Sequence, residues 1–206
     1  MESVEIQIAG FGGQGVILAG MVLGRAATIY DTKHVTLTQS FGPEARGSAC
    51  SVQLIVSPEP VLNPYLTHPH LLVAMSQEAY TRFVPDLRPG GLLLYEEDLI
   101  ELEPLRSDIT ARGIPATRFA EELGRKLVLN MVMVGFVTGQ TGLVSPEAAR
   151  KSVADSVPKG TESLNISAFE KGLEYGLALK DKPHGLAGKA PDINRFFEDT
   201  EGFVRS

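Results

Sequence analysis

The stretch VEIQIAGFGGQGVILAGMVLGRAATIY, residues 4–30, decides the fold class of this chain. Val4, Ile6 and Ile8 alternate with Glu5 and Gln7, the period of a strand with one face on a core. Gly10, Gly12, Gly13 and Gly15 then crowd a short turn, and an apolar run opens at Val16. The segment reads as strand, glycine turn, helix. Glycines in such a turn let the chain reverse sharply, bring backbone close to a phosphate and let the helix pack tightly on the strand. The first N–H groups of a helix have no partner inside it, and the helix dipole adds partial positive charge there, so the turn suits an anion. Gly10, Gly12 and Gly15 fit G-x-G-x-x-G in the strand-to-helix context that gives this motif its meaning. Phosphate or nucleotide binding is the expectation, with a tight turn that holds no ligand as the alternative.

Outward from this unit, 206 residues suit one domain, and 43% hydrophobic against 21% charged residues place the chain among globular proteins. A net charge of −6 without a basic run argues against a nucleic-acid surface, which needs clustered Lys and Arg. Cys50 is the single cysteine, so the chain can form no internal disulfide and cannot supply the thiolates of an iron–sulfur cluster. Met1-Glu2-Ser3 leads straight into a strand pattern with no signal-peptide character, and the cytoplasm is the expected compartment. Gly20, Gly24 and Arg25 break one apolar run, and Asn130 and Gly135 another, so neither reads as a membrane span.

After the first helix, Asp31-Thr32-Lys33 reads as a turn and His34–Ser40 as a β-branched strand. A dinucleotide-binding unit would end this second strand in an acid for the ribose hydroxyls; Gln39 and Ser40 stand there instead, which counts against NAD. Residues 49–56 form a further strand, and the Gly- and Pro-containing link before it is too short for a parallel crossover, so a hairpin-like excursion in a mixed sheet is expected. Further strands are expected at Leu71–Met75, Gly91–Tyr95 and Ile114–Thr117, and a short Ser-capped helix at Ser76–Phe83. Glu96, Glu97, Asp98, Glu101 and Glu103 read as a solvated acidic edge, and His68-Pro69-His70 as a loop feature with no further metal ligands at a recognisable spacing. A helical pattern from Phe119 runs into Leu127–Val137, apolar almost all round, which is buried in the domain or half covered by another subunit. Together with the phenylalanines of the tail it leads us to expect self-association of the isolated chain. Ser145-Pro146-Glu147 reads as a helix start, and Phe169, Leu173 and Leu177 share the spacing of a last helix. Residues 1–180 then form the domain, and 181–206 a tail that docks on a partner or moves freely.

Two motifs together carry a family resemblance. GFGGQGV at residues 10–16 and QSFGPEARGS at 39–48 resemble the gamma subunit of the 2-oxoacid:ferredoxin oxidoreductases, and the likeness continues through VAMSQEAY at 73–80 and SVPKGTESLN at 156–165. Among its branches the chain looks most like the 2-oxoglutarate type. Ser48 departs from the family, whose members usually carry Gly there, and the tail is longer than usual. The resemblance implies an α/β fold, a three-layer Rossmann-like sheet that is mostly parallel. It also implies a subunit of an enzyme that oxidatively decarboxylates a 2-oxoacid, joins the acyl group to coenzyme A and passes electrons to ferredoxin. Alpha, beta and ferredoxin-like delta subunits are the implied partners, with thiamine diphosphate and the iron–sulfur clusters residing in them, and no catalytic residue or metal ligand is assigned to this chain. Coenzyme A is associated with the gamma domain, and its phosphates would suit the glycine turn. The expected binding residues are Gly10, Gly12, Gly13, Gln14 and Gly15, joined by Glu44, Arg46 and Gly47 from the loop after the second strand. Arg46 would supply the cation that backbone N–H groups lack, with Glu44 orienting it or meeting a partner; an Arg46–Glu44 pair that only folds the loop is the alternative. A free-standing NAD-dependent dehydrogenase and a non-catalytic nucleotide-binding module remain as readings from other classes.

Overall fold

A computed structural model describes residues 3–41 and 49–180. The alternation at Val4–Ile8 becomes β1 (Val4–Phe11), the centre of a six-stranded sheet. β2 (His34–Phe41) and β3 (Ala49–Ser57) lie to one side of it, and β4 (Leu71–Ala74), β5 (Leu92–Glu96) and β6 (Thr110–Ile114) to the other, in the order β2–β3–β1–β4–β5–β6. β1, β4, β5 and β6 pair in parallel. β3 is antiparallel to both β1 and β2, so among the described strands it alone runs against the rest. The hairpin expected from the short Gly/Pro link therefore sits inside the sheet, between β2 and the central strand.

One sheet face carries the larger core. Ile6, Ile8, Val52, Leu54, Leu71, Val73, Leu92 and Leu94 pack there with α1 (Val16–Arg25), α3 (Ala116–Glu122) and α4 (Leu129–Thr141). The other face is covered more thinly: Leu72, Ala74 and Leu93 meet Tyr80 of α2 (Gln77–Phe83), Leu87 and Ile100. Toward β2 that face turns polar, where Gln7, Gln53 and Thr38 stand in one row across three strands. Gln53 donates to Gln7 Oε1 at 2.9 Å and accepts from Thr38 Oγ1 at 3.3 Å.

α1 continues as a π-helical turn over Ala26–Tyr30 and ends in the expected turn, with Thr32 at φ 54°. The Asp31 carboxylate accepts the Ser145 N–H at 2.7 Å and its hydroxyl at 2.8 Å, while Lys33 Nζ donates to the Leu143 carbonyl at 2.7 Å. This ties the turn to the start of α5 (Pro146–Ser156), where Ser145 caps the Ala148 N–H as its sequence position promised. Asp31 thus acts as a turn residue, at the end of the sheet where β2 begins.

Several expectations need correction. The strand placed at Ile114–Thr117 ends at Ile114: Pro115 has no N–H for a ladder, and α3 begins directly after it. The helical pattern from Phe119 does not run on into Leu127–Val137, because Gly124 at φ 85° breaks the chain between α3 and α4. Glu96 is not solvated but fully buried, and its neighbours Glu97 and Asp98 both pair with Arg118, at 2.9 Å each. Every residue of α4 is buried, its outer side by α6 (Glu162–Lys180) of the same chain. The apolar helix therefore offers no surplus face for self-association, although Leu127 just before it is 76% exposed. The tail from residue 181 and its phenylalanines lie outside the described residues.

Candidate functional site

The glycine turn lies at the carboxyl end of β1, between two helices on opposite sheet faces: α1, which leads away toward β2, and α2, which follows β4. This is the point where strand connections part in opposite directions, the place where open α/β sheets bind ligands. The Gln14 N–H donates to the Phe11 carbonyl at 3.1 Å and closes the turn. Gly13 at φ 104° and Gly15 at φ 73° take conformations that L side chains rarely adopt. Gly15 is the N-cap of α1, and no side chain caps the first N–H groups of that helix.

The glycines divide by what stands in front of them. A Cβ on Gly10 would meet Gln14 Oε1 at 2.5 Å, and one on Gly15 would fall on the Asn130 carboxamide. A Cβ on Gly20 would lie 2.5 Å from Val52, so the bare glycine lets α1 close on β3. In front of Gly13 there is open space, and Gly12 and Gly13 are both exposed. Gly10 and Gly15 thus serve internal packing, and the part of the turn open to the outside is Gly12-Gly13.

Gln14 turns its carboxamide back into the protein. Its Oε1 accepts the Phe11 N–H at 2.7 Å and its Nε2 donates to the Met75 carbonyl at 2.7 Å, while the Met75 N–H donates to the Ala9 carbonyl at 2.8 Å. Asn130, buried at the start of α4, donates to the Gly15 carbonyl at 3.3 Å and accepts the Met131 N–H. Sequence reading missed Asn130, although a lone carboxamide in an apolar helix run was the available signal. Cys50 lies opposite Gly10 in the β1–β3 register, and burial pushes its thiol pKa up, away from reactive thiolate character.

Glu44, Arg46 and Gly47 lie outside the described residues. Both anchor points of their loop are fixed, however: Phe41 pairs with Cys50, and Ala49 pairs with Phe11 at the entrance to the glycine turn. On the acidic segment, Glu96 Oε1 accepts the Thr117 N–H at 3.0 Å. Its Oε2 is buried without a hydrogen-bond partner, and burial raises its pKa. His68 and His70 form no joint site: His70 Nδ1 accepts the Glu5 N–H at 3.1 Å, and the His68 ring lies 3.2 Å from the Asp86 carbonyl. No helix among the described residues is long and apolar enough to cross a membrane.

A six-stranded sheet with one reversed strand and a glycine turn at its switch point defines an α/β protein of the Rossmann-like kind. Residues 5–175 match the family model described as pyruvate ferredoxin/flavodoxin oxidoreductase, and the chain belongs to that family. It is 48% identical over 177 residues to the 2-oxoglutarate synthase subunit KorC of Methanocaldococcus jannaschii, covering 85% of this chain and 95% of the relative. Among solved structures it is similar to the gamma subunit of a keto/oxoacid ferredoxin oxidoreductase from Geobacter sulfurreducens, with TM-score 0.78 and 38% identity over 86% of this chain and 98% of that one. The 2-oxoglutarate:ferredoxin oxidoreductase from Magnetococcus marinus, with 2-oxoglutarate, coenzyme A and succinyl-CoA bound, shares the fold at TM-score 0.79 and 22% identity; the match covers 94% of this chain and 34% of that one. The resemblance carried by the two sequence motifs is thereby borne out.

Proposed function

We propose that this chain is the gamma subunit of a 2-oxoglutarate:ferredoxin oxidoreductase, an assembly that oxidatively decarboxylates a 2-oxoacid to its acyl-CoA and passes two electrons to ferredoxin. The observation that carries this reading is the nearly full-length likeness to KorC subunits at 47–48% identity. The residues present do not fit an iron–sulfur cluster, since the one cysteine of the chain is buried in β3. Clusters and thiamine diphosphate accordingly belong to alpha, beta and ferredoxin-like delta partners, in a cytoplasmic complex. This chain's own part is to receive phosphate groups of coenzyme A at Gly12-Gly13 and the uncapped first turn of α1. Arg46, in the segment between β2 and β3 and outside the described residues, is the charged partner this reading assigns to the same phosphates. The test is the complex purified from its native host or co-expressed with its partner subunits, assayed for coenzyme A-dependent reduction of ferredoxin. We expect 2-oxoglutarate to give the highest kcat/KM. A higher value with pyruvate or a branched 2-oxoacid would overturn the choice of branch.

A further inference from the structure

We propose that Gln14 is a positioning residue for the coenzyme A site, setting the direction of the Gly12 and Gly13 N–H groups before the ligand arrives. This rests on the reading that the phosphates bind at the glycine turn. Gln14 holds both peptide groups flanking Phe11: its Oε1 accepts the Phe11 N–H at 2.7 Å and its own N–H donates to the Phe11 carbonyl at 3.1 Å. Gln14 Nε2 then fastens this unit to the Met75 carbonyl at 2.7 Å, at the end of the neighbouring strand. The carboxamide fits because Gly10 has no Cβ; one there would lie 2.5 Å from Gln14 Oε1. At the far end Asn130 holds the Gly15 carbonyl. Two carboxamides thus fix both ends of the turn and leave Gly12 and Gly13 exposed between them. A site whose donors are already aimed spares the ligand the cost of ordering them.

The chemistry calls for a neutral side chain of this length that accepts at one end and donates at the other. Methionine fills similar space and bonds neither group. A glutamate accepts from Phe11 but sets an oxygen against the Met75 carbonyl unless its carboxyl is protonated, when it can donate as glutamine does.

The experiment uses the assembled enzyme, with coenzyme A and with pantetheine, which lacks the phosphates, as alternative acyl acceptors. Gln14→Met is expected to raise KM for coenzyme A about tenfold, the effect of roughly one hydrogen bond. It should leave KM for pantetheine and for the 2-oxoacid near their wild-type values. Gln14→Glu should show the same defect at alkaline pH and recover as the pH falls toward the pKa of the new carboxyl group, a recovery absent from wild type and Gln14→Met. Gly13→Asp, which sets a carboxylate in the open space before the turn, tests the underlying reading. If it leaves KM for coenzyme A unchanged, the phosphates bind elsewhere and the role of Gln14 falls with that reading. If Gly13→Asp raises KM while both Gln14 variants match wild type, only the positioning role is overturned. Equal losses with pantetheine and coenzyme A in the Gln14 variants, without recovery at low pH in Gln14→Glu, would also overturn it.

Discussion

Glu96 shows how burial changes the meaning of a single residue. In the sequence it opens an acidic run and reads as solvated, yet the chain buries it completely at the end of β5 with one oxygen on the Thr117 N–H. Burial raises its pKa, so the folded state holds this proton more tightly than the unfolded chain does. The contribution to stability is therefore greatest below the unfolded glutamate value of about 4 and is lost as the pH rises through the higher folded value. Glu96→Gln keeps an acceptor for Thr117 and removes the titration. We expect the melting temperature of the variant to rise relative to wild type as the pH is raised from about 4 to neutrality. A constant difference across that range would mean that Glu96 ionises in the fold as easily as in water. The glycine turn was more legible than this carboxylate, because its signal is local: four glycines between a period-two pattern and an apolar run. What each glycine does was not legible. Whether a missing Cβ admits a ligand or a side chain depends on Gln14 folding back and on Asn130, which is far away in sequence.

Helices α4 and α6 extend the point to the scale of elements. A Cβ on Gly135 of α4 would run into the Phe169–Leu173 backbone of α6, one on Gly172 of α6 would fall on the Val132 carbonyl of α4, and Gly139 and Gly176 lie against each other. The backbones can approach this closely only because both helices carry glycine four residues apart, on one face of each. Gln140 adds a bond from Nε2 to the Gly176 carbonyl at 2.5 Å, and Arg112 of β6 donates to Gln140 Oε1 at 2.8 Å and to the Leu179 carbonyl at 3.1 Å. Gly172→Ala should cost roughly 3 kcal/mol, since the obstacle is backbone and cannot rotate away. Urea denaturation should show it as a lower midpoint with little change of slope. A midpoint within error of wild type would show that the helices can separate at little cost. The glycine spacing was present in the sequence, but helical glycine reads first as a breaker, and nothing local tells which other helix it will meet. The strands with period-two or continuous apolar patterns were placed to within a residue or two. β6, Thr-Ala-Arg-Gly-Ile, has neither pattern and is a strand because its backbone pairs with β5.

At the scale of the whole molecule, the chain combines an α/β fold and an anion-suited turn with a scarcity of redox-competent thiols. It carries one cysteine, whose thiol burial keeps protonated. The isolated chain should therefore reduce no dye with 2-oxoglutarate or pyruvate and coenzyme A, whereas the assembled enzyme should do so under the same conditions. Dye reduction by the isolated chain would mean that the electron path does not depend on partner subunits. The family was legible because its motifs are contiguous, whereas the tail beyond Lys180, read from the sequence as either docking on a partner or moving freely, lies outside the described residues. The strand order has a further effect on how the chain comes together. β1 is synthesised before either of its neighbours, β3 at residues 49–57 and β4 at 71–74. While the chain emerges, an apolar strand waits with both edges open, and a fragment ending between them still leaves one edge unpaired. Open edges of this kind pair with other chains, so the interval between residues 11 and 71 is when the nascent protein most needs a chaperone.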